Sequence, residues 1–285
     1  MKRKYKYFFL GFLALAAIII WREVWTAGQG TLKFWALDIG QGDALFIETS
    51  SHNQILIDSG PSGKQVLREL GDVMPFYDKS IDLAILTHPH LDHVGGFPDV
   101  LGSYRVGAFA GSGDPDTLAE YQETQKILEQ KNIPFRTLRR GQKIILDKNV
   151  WLEILYPERL QESKNVHRNM VIAMLYAGEK KFLLMGDAER VEEVFLIEHD
   201  GARLASDVLK AGHHGSKTSS FAPFLARVKP QYAVISAGRD NKYGHPHEET
   251  LSNLQRISAA ILRTDLDGRI KIETDGREIF VSRER

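Results

Sequence analysis

Fifteen uncharged positions run together near the amino terminus, Tyr7 to Trp21, reading YFFLGFLALAAIIIW. From Thr31 onward the pattern breaks into short pieces. Leu32–Leu37, Ala44–Glu48 and Gln54–Ile57 are β-rich runs with glycine-rich turns between them, and they predict strands. Ile81–Leu86 is a compact apolar run that predicts a buried strand. Val150–Tyr156, Val171–Tyr176, Lys181–Met185, Asp207–Lys210 and Tyr232–Ser236 repeat the strand signal. Helical spacing runs over Thr117–Gln130, over Glu248–Ile257, and over Ala188–Glu198, where Val191, Val194, Phe195 and Ile197 are the apolar positions. Arg269–Glu273 and Glu278–Val281 predict a closing hairpin across Asp275-Gly276.

This alternation predicts an α/β domain. Its polar clusters sit where strands end: Asp38–Asp43, Thr87–His93, Gly186-Asp187, Gly212–Ser216 and Ser236–His247. In α/β sheets, sites form in loops beyond the strand carboxyl ends. Five such loops in one chain predict one common site. Residues 27–30 (AGQG) form a short flexible joint, and no linker or repeat divides the rest. The expected organisation is a segment over residues 1–27 and one domain over residues 28–285.

Composition narrows the classes. Of the 285 residues, 43% are hydrophobic and 26% charged, as in ordinary globular proteins, which excludes disorder or collagen as the main state. The absence of cysteine excludes disulfides, thiolate-ligated zinc and a thiol nucleophile. The net charge is zero but unevenly spread. Lys2, Arg3, Lys4, Lys6 and Arg22 precede the first acid, leaving 32 basic against 37 acidic residues in the remainder. A net-negative body excludes a bulk nucleic-acid-binding surface. Basic residues before the uncharged run match a signal peptide or an uncleaved anchor. The run is shorter than the roughly 20 residues of a comfortable span, and Tyr5, Trp21 and Trp25 extend it as interfacial anchors. Cleavage after Ala27 would put Trp25 at the −3 position, so a retained transmembrane helix is the favoured expectation. The positive-inside rule then places the body outside the cytoplasm.

Thr87–Gly96 reads THPHLDHVGG and carries the strongest chemistry. His88 and His90 project to one side of an extended loop, and Asp92 and His93 can face a second centre about 3.5–4 Å away, as two-metal sites require. Imidazole and carboxylate together suit Zn, Mn or Fe.

This H-x-H-x-D-H string resembles the metal motif of the metallo-β-lactamase superfamily. The resemblance implies a bridging carboxylate at a strand-ending Gly-Asp, matched by Asp187, and a later histidine, matched by His213. It also implies a middle histidine about 20 residues before the bridging Asp, a station that His167 fits. The motifs Leu37–Ala44, Thr87–Gly96, Leu184–Asp187, Leu209–Ser216 and Tyr243–His247 together resemble the carboxy-terminal domain of ComEC-type competence proteins. Those relatives place an Asn-rich segment where this chain has Val166-His167-Arg168-Asn169. The fold so implied is a four-layer αββα sandwich with two divalent ions, Zn or Mn, at one edge. With one membrane segment, the chain is not itself a DNA-conducting pore.

Single residues have bland alternatives. Asp187 could cap a helix. His214, beside the expected ligand His213, is expected to hydrogen-bond substrate. His245 is expected to contact substrate or donate a proton, against a rigid turn around Pro246. Asp38 could orient a ligand histidine or serve only the Gly-Gln-Gly turn. Ser216, Lys217 and Tyr243 are the expected substrate contacts, Ser216 and Lys217 lying in a polar stretch that could hold phosphate or merely open a helix. Arg139, Arg140 and Lys143 read as a solvated face.

The expected reaction is hydrolysis by metal-activated water, with Asp92 or Asp187 accepting its proton. The ComEC-like motifs imply a phosphodiester, with DNA as one candidate. Two other readings compete: the same metals acting on a β-lactam, thioester or wall-polymer phosphoester, and a non-catalytic module that captures DNA or a partner. Loss of turnover with retained fold on substituting Asp187 separates enzyme from module.

Overall fold

A computed structural model describes residues 7–9, 11–18, 21, 32–158 and 169–285. Two sheets carry the domain. The first has eight strands in the order β15-β14-β1-β2-β3-β4-β5-β6. These are β1 (Leu32–Ala36), β2 (Leu45–Glu48), β3 (Gln54–Ile57), β4 (Ser80–Leu86), β5 (Arg105–Gly111), β6 (Phe135–Thr137), β14 (Ile270–Thr274) and β15 (Ile279–Arg283). The second has seven in the order β13-β12-β11-β10-β9-β8-β7. These are β7 (Lys143–Asp147), β8 (Val150–Tyr156), β9 (Ile172–Ala177), β10 (Lys180–Leu184), β11 (Val208–Lys210), β12 (Tyr232–Ile235) and β13 (Ala260–Arg263).

Alternation along the strands sorts the apolar side chains into three cores. Between the sheets, Phe34, Ile47, Ile55, Leu152, Leu175 and Phe182 are buried, with the Phe34 and Phe182 rings 5.4 Å apart. On the outer face of the first sheet, Phe46, Leu56 and Phe109 pack against Val66 and Leu70 of helix Gly63–Val73 and Phe97 and Val100 of helix Phe97–Ser103. On the outer face of the second, Leu183, Leu209 and Ile235 pack against Leu196 of helix Arg190–Asp200, Phe224 of helix Ala222–Val228 and Leu254 of helix Glu248–Arg256. Helices therefore cover both outer faces, and the architecture is the expected αββα sandwich. Burial of each such side chain contributes about 1.5–3 kcal/mol.

β3, β4 and β5 are parallel, as are β10, β11 and β12. Their carboxyl ends converge on one edge, where the predicted loops are tied together. Asp43 N–H donates to the Asp92 carbonyl at 3.1 Å, His213 N–H to the Gly186 carbonyl at 3.0 Å and His247 N–H to the Gly215 carbonyl at 2.9 Å. Gly238 N–H donates to the Gln41 side chain at 3.2 Å. Gly42 is needed here: its φ is +128°, and a Cβ would lie 2.2 Å from the Asp92 carbonyl oxygen.

One expectation changes. Arg140 is not on a solvated face. Its guanidinium forks onto buried Asp200 at 2.8 and 2.9 Å and donates to the Leu155 carbonyl, because the turn before β7 brings it against the end of helix Arg190–Asp200. Arg139 likewise donates to the Ser112 and Leu138 carbonyls. At the amino terminus, residues 7–9 and 11–18 are helical and expose Phe8, Phe9, Phe12 and Leu15. Among the described residues no helix is long and apolar enough to cross a membrane. The expected span also includes residues 10, 19 and 20, which lie outside the described set.

Candidate metal centre

The loop after β4 delivers four of the predicted ligands. His88 lies at the strand's end, and a short turn of helix, Leu91–Val94, starts after His90 and carries Asp92 and His93. The tight turn ending β10 delivers Asp187, 2% exposed. His213 and His214 sit at φ of +46° and +54° in the turn after β11. Non-glycine residues rarely hold this left-handed conformation, and its cost of order 1–3 kcal/mol is met where surrounding structure fixes it. Here it turns both imidazoles toward Asp187.

Ligand atoms of Asp92, His93, Asp187 and His214 lie within 4.8 Å of one another, and so do those of His88, His90 and Asp187. Asp187 is common to both groups. Its Oδ1 faces His93 Nε2 at 3.2 Å and His214 Nε2 at 3.3 Å. Its Oδ2 faces His88 Nε2 at 3.6 Å and His213 Nε2 at 4.0 Å. His88 Nε2 and His90 Nδ1 are 3.0 Å apart, and Asp92 Oδ2 is 3.3 Å from His214 Nε2.

The outer nitrogens fix which tautomer each ring adopts. His93 Nδ1–H donates to Asp58 Oδ2 at 2.8 Å. Asp58 also accepts from Thr87 N–H at 2.8 Å and Thr87 Oγ1–H at 2.7 Å, and Thr87 Oγ1 in turn faces His88 Nδ1 at 3.1 Å. His214 Nδ1–H donates to the Ser236 carbonyl at 3.1 Å, with Asp43 Oδ1 at 3.5 Å. His213 Nδ1–H donates to Glu189 at 3.0 Å. The Nε2 atoms of His88, His93, His213 and His214 thereby face Asp187.

The residues fit a cation. His93 Nε2, His214 Nε2 and Asp187 Oδ1 are buried and form no hydrogen bond, although Asp187 Oδ1 lies within 3.3 Å of both nitrogens. A buried polar atom without a partner costs about 1–3 kcal/mol, and one positive ion among the three satisfies them all. The electrostatics agree. Burial alone would raise the Asp187 carboxyl, yet the imidazoles of His93 and His214 hold it well below the usual range. Burial opposes charge on His214, but Asp187 and Asp43 push it up to about 9. The site attracts positive charge, proton or metal alike. Buried Lys210, 2.8 Å from Asp43, holds that carboxylate in place.

The structure sorts the predicted residues. His88, His90, Asp92, His93 and Asp187 come together. Of the adjacent pair, His214 occupies the tight donor group, whereas His213 stands at its rim, 26% exposed in its side chain. His167 lies outside the described residues, and Asn169, two residues on in the sequence, is buried. His245 faces His213 and His214, with ring centroids 5.6 and 6.2 Å away, and its Nδ1 is buried without a hydrogen bond. Tyr243 is half exposed and stacks on His245 at 5.6 Å. Lys217 is exposed beside them, while Ser216 is buried and bonded to Thr218. Asp38 does not orient a histidine; it pairs with Arg285 at 2.7 Å. Asp58 and Glu189 hold ligand histidines instead, and neither was expected. Asp58 follows the end of β3, before Ser59-Gly60, the same strand-end acid signal that marks Asp187.

Residues 37–239 match the family model of the metallo-beta-lactamase superfamily. The chain is 31% identical over 260 residues to ComE operon protein 3 of Bacillus subtilis, covering 85% of this chain and 33% of that protein. It is 30% identical over 262 residues to competence protein ComA of Neisseria gonorrhoeae, covering 91% and 34%. The chain thus spans about a third of the length of these curated relatives. Among solved structures, the metallo-beta-lactamase fold protein YhfI of Bacillus subtilis superposes at a TM-score of 0.56 and 11% identity, covering 89% of this chain and 99% of that one. Zn(2+)-bound PqqB of Methylobacterium extorquens does so at 0.53 and 13%, covering 78% and 85%. Site motif, layered sheets and a family match across most of the domain lead to one assignment: the chain belongs to the metallo-beta-lactamase superfamily.

Proposed function

We propose that the chain is a metal-dependent hydrolase of phosphodiesters, anchored in the cell membrane by residues 7–21 with its domain on the extracytoplasmic side. The observation that carries the reading is the pair of adjacent donor sets sharing one buried carboxylate, Asp187. His88 and His90, with His213 at the rim, would hold one divalent ion, and Asp92, His93 and His214 the other. Such ions supply Lewis acidity at a phosphoryl oxygen and a lower pKa for water at neutral pH.

The chain's own groups do the rest. Asp58 and the Ser236 carbonyl hold a proton on Nδ1 of His93 and His214, so that Nε2 is the nitrogen each ring would offer to a metal. Asp92, partly exposed at the mouth, takes the proton of the attacking water. Lys217 neutralises the substrate's charge, and His245 donates an Nδ1–H, which no protein group accepts, to a phosphoryl oxygen. Tyr243 borders the cleft as a flat contact for a base or other planar group. The competence relatives favour a nucleic-acid phosphodiester, and the net-negative body favours a narrow site over a long basic groove.

The test is hydrolysis of bis-p-nitrophenyl phosphate and single-stranded DNA by the full chain with Mn or Zn, with Asp187→Ala as control. Metal-dependent cleavage that is lost in the variant is the expected result. Two bound ions without cleavage would move the substrate to another ester or amide, and binding of DNA without metal or turnover would favour a capture module.

A further inference from the structure

The end of the sandwich opposite the metal centre carries a different surface. β1 and β3 each run antiparallel to β2, and β3, β4 and β5 run parallel. The first residues of β1, β4 and β5, Leu32, Ser80 and Arg105, therefore lie together at the far end. The seven residues of β4 separate that end from the metal loop by about 23 Å.

Phe76 and Tyr77 stand there 88% and 75% exposed, edge to face with centroids 5.4 Å apart. Two adjacent aromatic rings so open to water are costly unless something covers them. Beside them a depression of about 500 Å³ is lined by Lys79, Tyr104, Arg105 and Lys131. The loop's acid, Asp78, is taken up by Ser80 N–H and Oγ–H at 3.0 and 2.7 Å and by Gln54 at 2.7 Å. Aromatic rings flanked by cations match the interface of an anionic bilayer, where rings sit at headgroup level and cations meet lipid phosphates.

Chain connectivity favours that occupant. Trp21 ends the uncharged run and Leu32 opens β1 at this same end. The residues between them reach at most about 35–40 Å, which keeps this face near any membrane holding residues 7–21 and raises its effective concentration there. We infer that Phe76, Tyr77, Lys79, Arg105 and Lys131 form a docking face for an anionic phospholipid surface. The domain then stands on the bilayer with its metal centre turned outward. The inference rests on the anchor reading of residues 7–21, which the test separates.

The full chain is placed in nanodiscs of phosphatidylcholine with or without phosphatidylglycerol. A benzoylphenylalanine photoprobe replaces Phe76 in one sample and Tyr243 in another. Strong lipid labelling at position 76 in the anionic discs, little at 243, is expected. Each cation is worth about fivefold, so combining Lys79→Ala, Arg105→Ala and Lys131→Ala should cut labelling by about a hundredfold, with an unchanged thermal unfolding midpoint as proof of folding. Alkaline extraction of the same samples reads the anchor independently. Labelling at 76 in extractable protein would leave the docking face standing without an anchor. Labelling no greater at 76 than at 243, or capture of protein instead of lipid at 76, would overturn the inference.

Discussion

Replacing Asp58 with asparagine tests how the fold makes His93 a ligand. Both Asp58 oxygens are buried and accept three hydrogen bonds of 2.7–2.8 Å, from Thr87 N–H, Thr87 Oγ1–H and His93 Nδ1–H. Asparagine is isosteric, and its oxygen keeps the Thr87 N–H. Its amide NH2 then faces Thr87 Oγ1 and His93 Nδ1, two atoms that now must accept. Two charge-assisted bonds are lost, each worth about 1.5–3 kcal/mol. The imidazole answers by moving its proton to Nε2, the atom 3.2 Å from Asp187 Oδ1, where a proton and a metal exclude each other. Loss of such an outer partner lowers metal affinity about 10–100-fold. The assay is calorimetric titration of the metal-stripped full chain with Mn or Zn, with thermal unfolding to show that the variant still folds. Wild-type affinity for both ions in Asp58→Asn would refute the tautomer argument, because His93 would then ligate without its carboxylate.

Other perturbations read other links of the account. Gly42→Ala puts a Cβ 2.2 Å from the Asp92 carbonyl at a φ of +128°, so metal affinity should fall by at least about tenfold as the loop shifts; unchanged affinity would mean the turn does not hold Asp92. Arg140→Ala removes the fork from buried Asp200 and leaves it only Arg203 at 3.8 Å, so it should cost about 1.5–3 kcal/mol in urea unfolding without changing metal affinity. Glu193 is buried beneath the backbone amides of Ser220 and Phe221, and desolvation pushes it up to about 8 from an ordinary 4.5. Because the folded state holds this proton more tightly, its contribution to stability is full below pH 4.5 and is lost as pH rises toward about 8. Between those limits Glu193→Gln should flatten the fall by up to about 1.4 kcal/mol per pH unit; parallel curves for variant and parent would contradict the shift.

Much of the fold was legible because its strands obey simple patterns. Gln54–Ile57 and Val150–Tyr156 were located residue for residue, and the strand-end loops do converge. β5 escaped because Arg105–Gly111 is rich in alanine and glycine, and a Cβ at Gly107 would sit 2.7 Å from the Asp82 carbonyl of the adjacent strand. Small residues there serve close strand approach, which periodicity does not register. β13, the edge strand Ala260–Arg263, escaped because no glycine or proline separates it from the helices on either side. At the site, the ligands of one local motif were readable because spacing alone brings them together. The ordering of His213 and His214 was not, since it depends on two left-handed residues that aim the second imidazole inward. Asp58 and Glu189 were missed for a related reason: they touch histidines 35 and 24 residues away, a relation only the folded sheets create.

The central claim is that Asp187 joins two metal positions. Its most direct test is the number of Mn or Zn ions retained by the metal-stripped full chain after saturation and gel filtration, beside the same measurement on His88→Ala/His90→Ala. The account predicts two ions for the parent and one for the double variant, with the fold retained in both. A parent that retains one ion or none, or a double variant that still retains two, would contradict it.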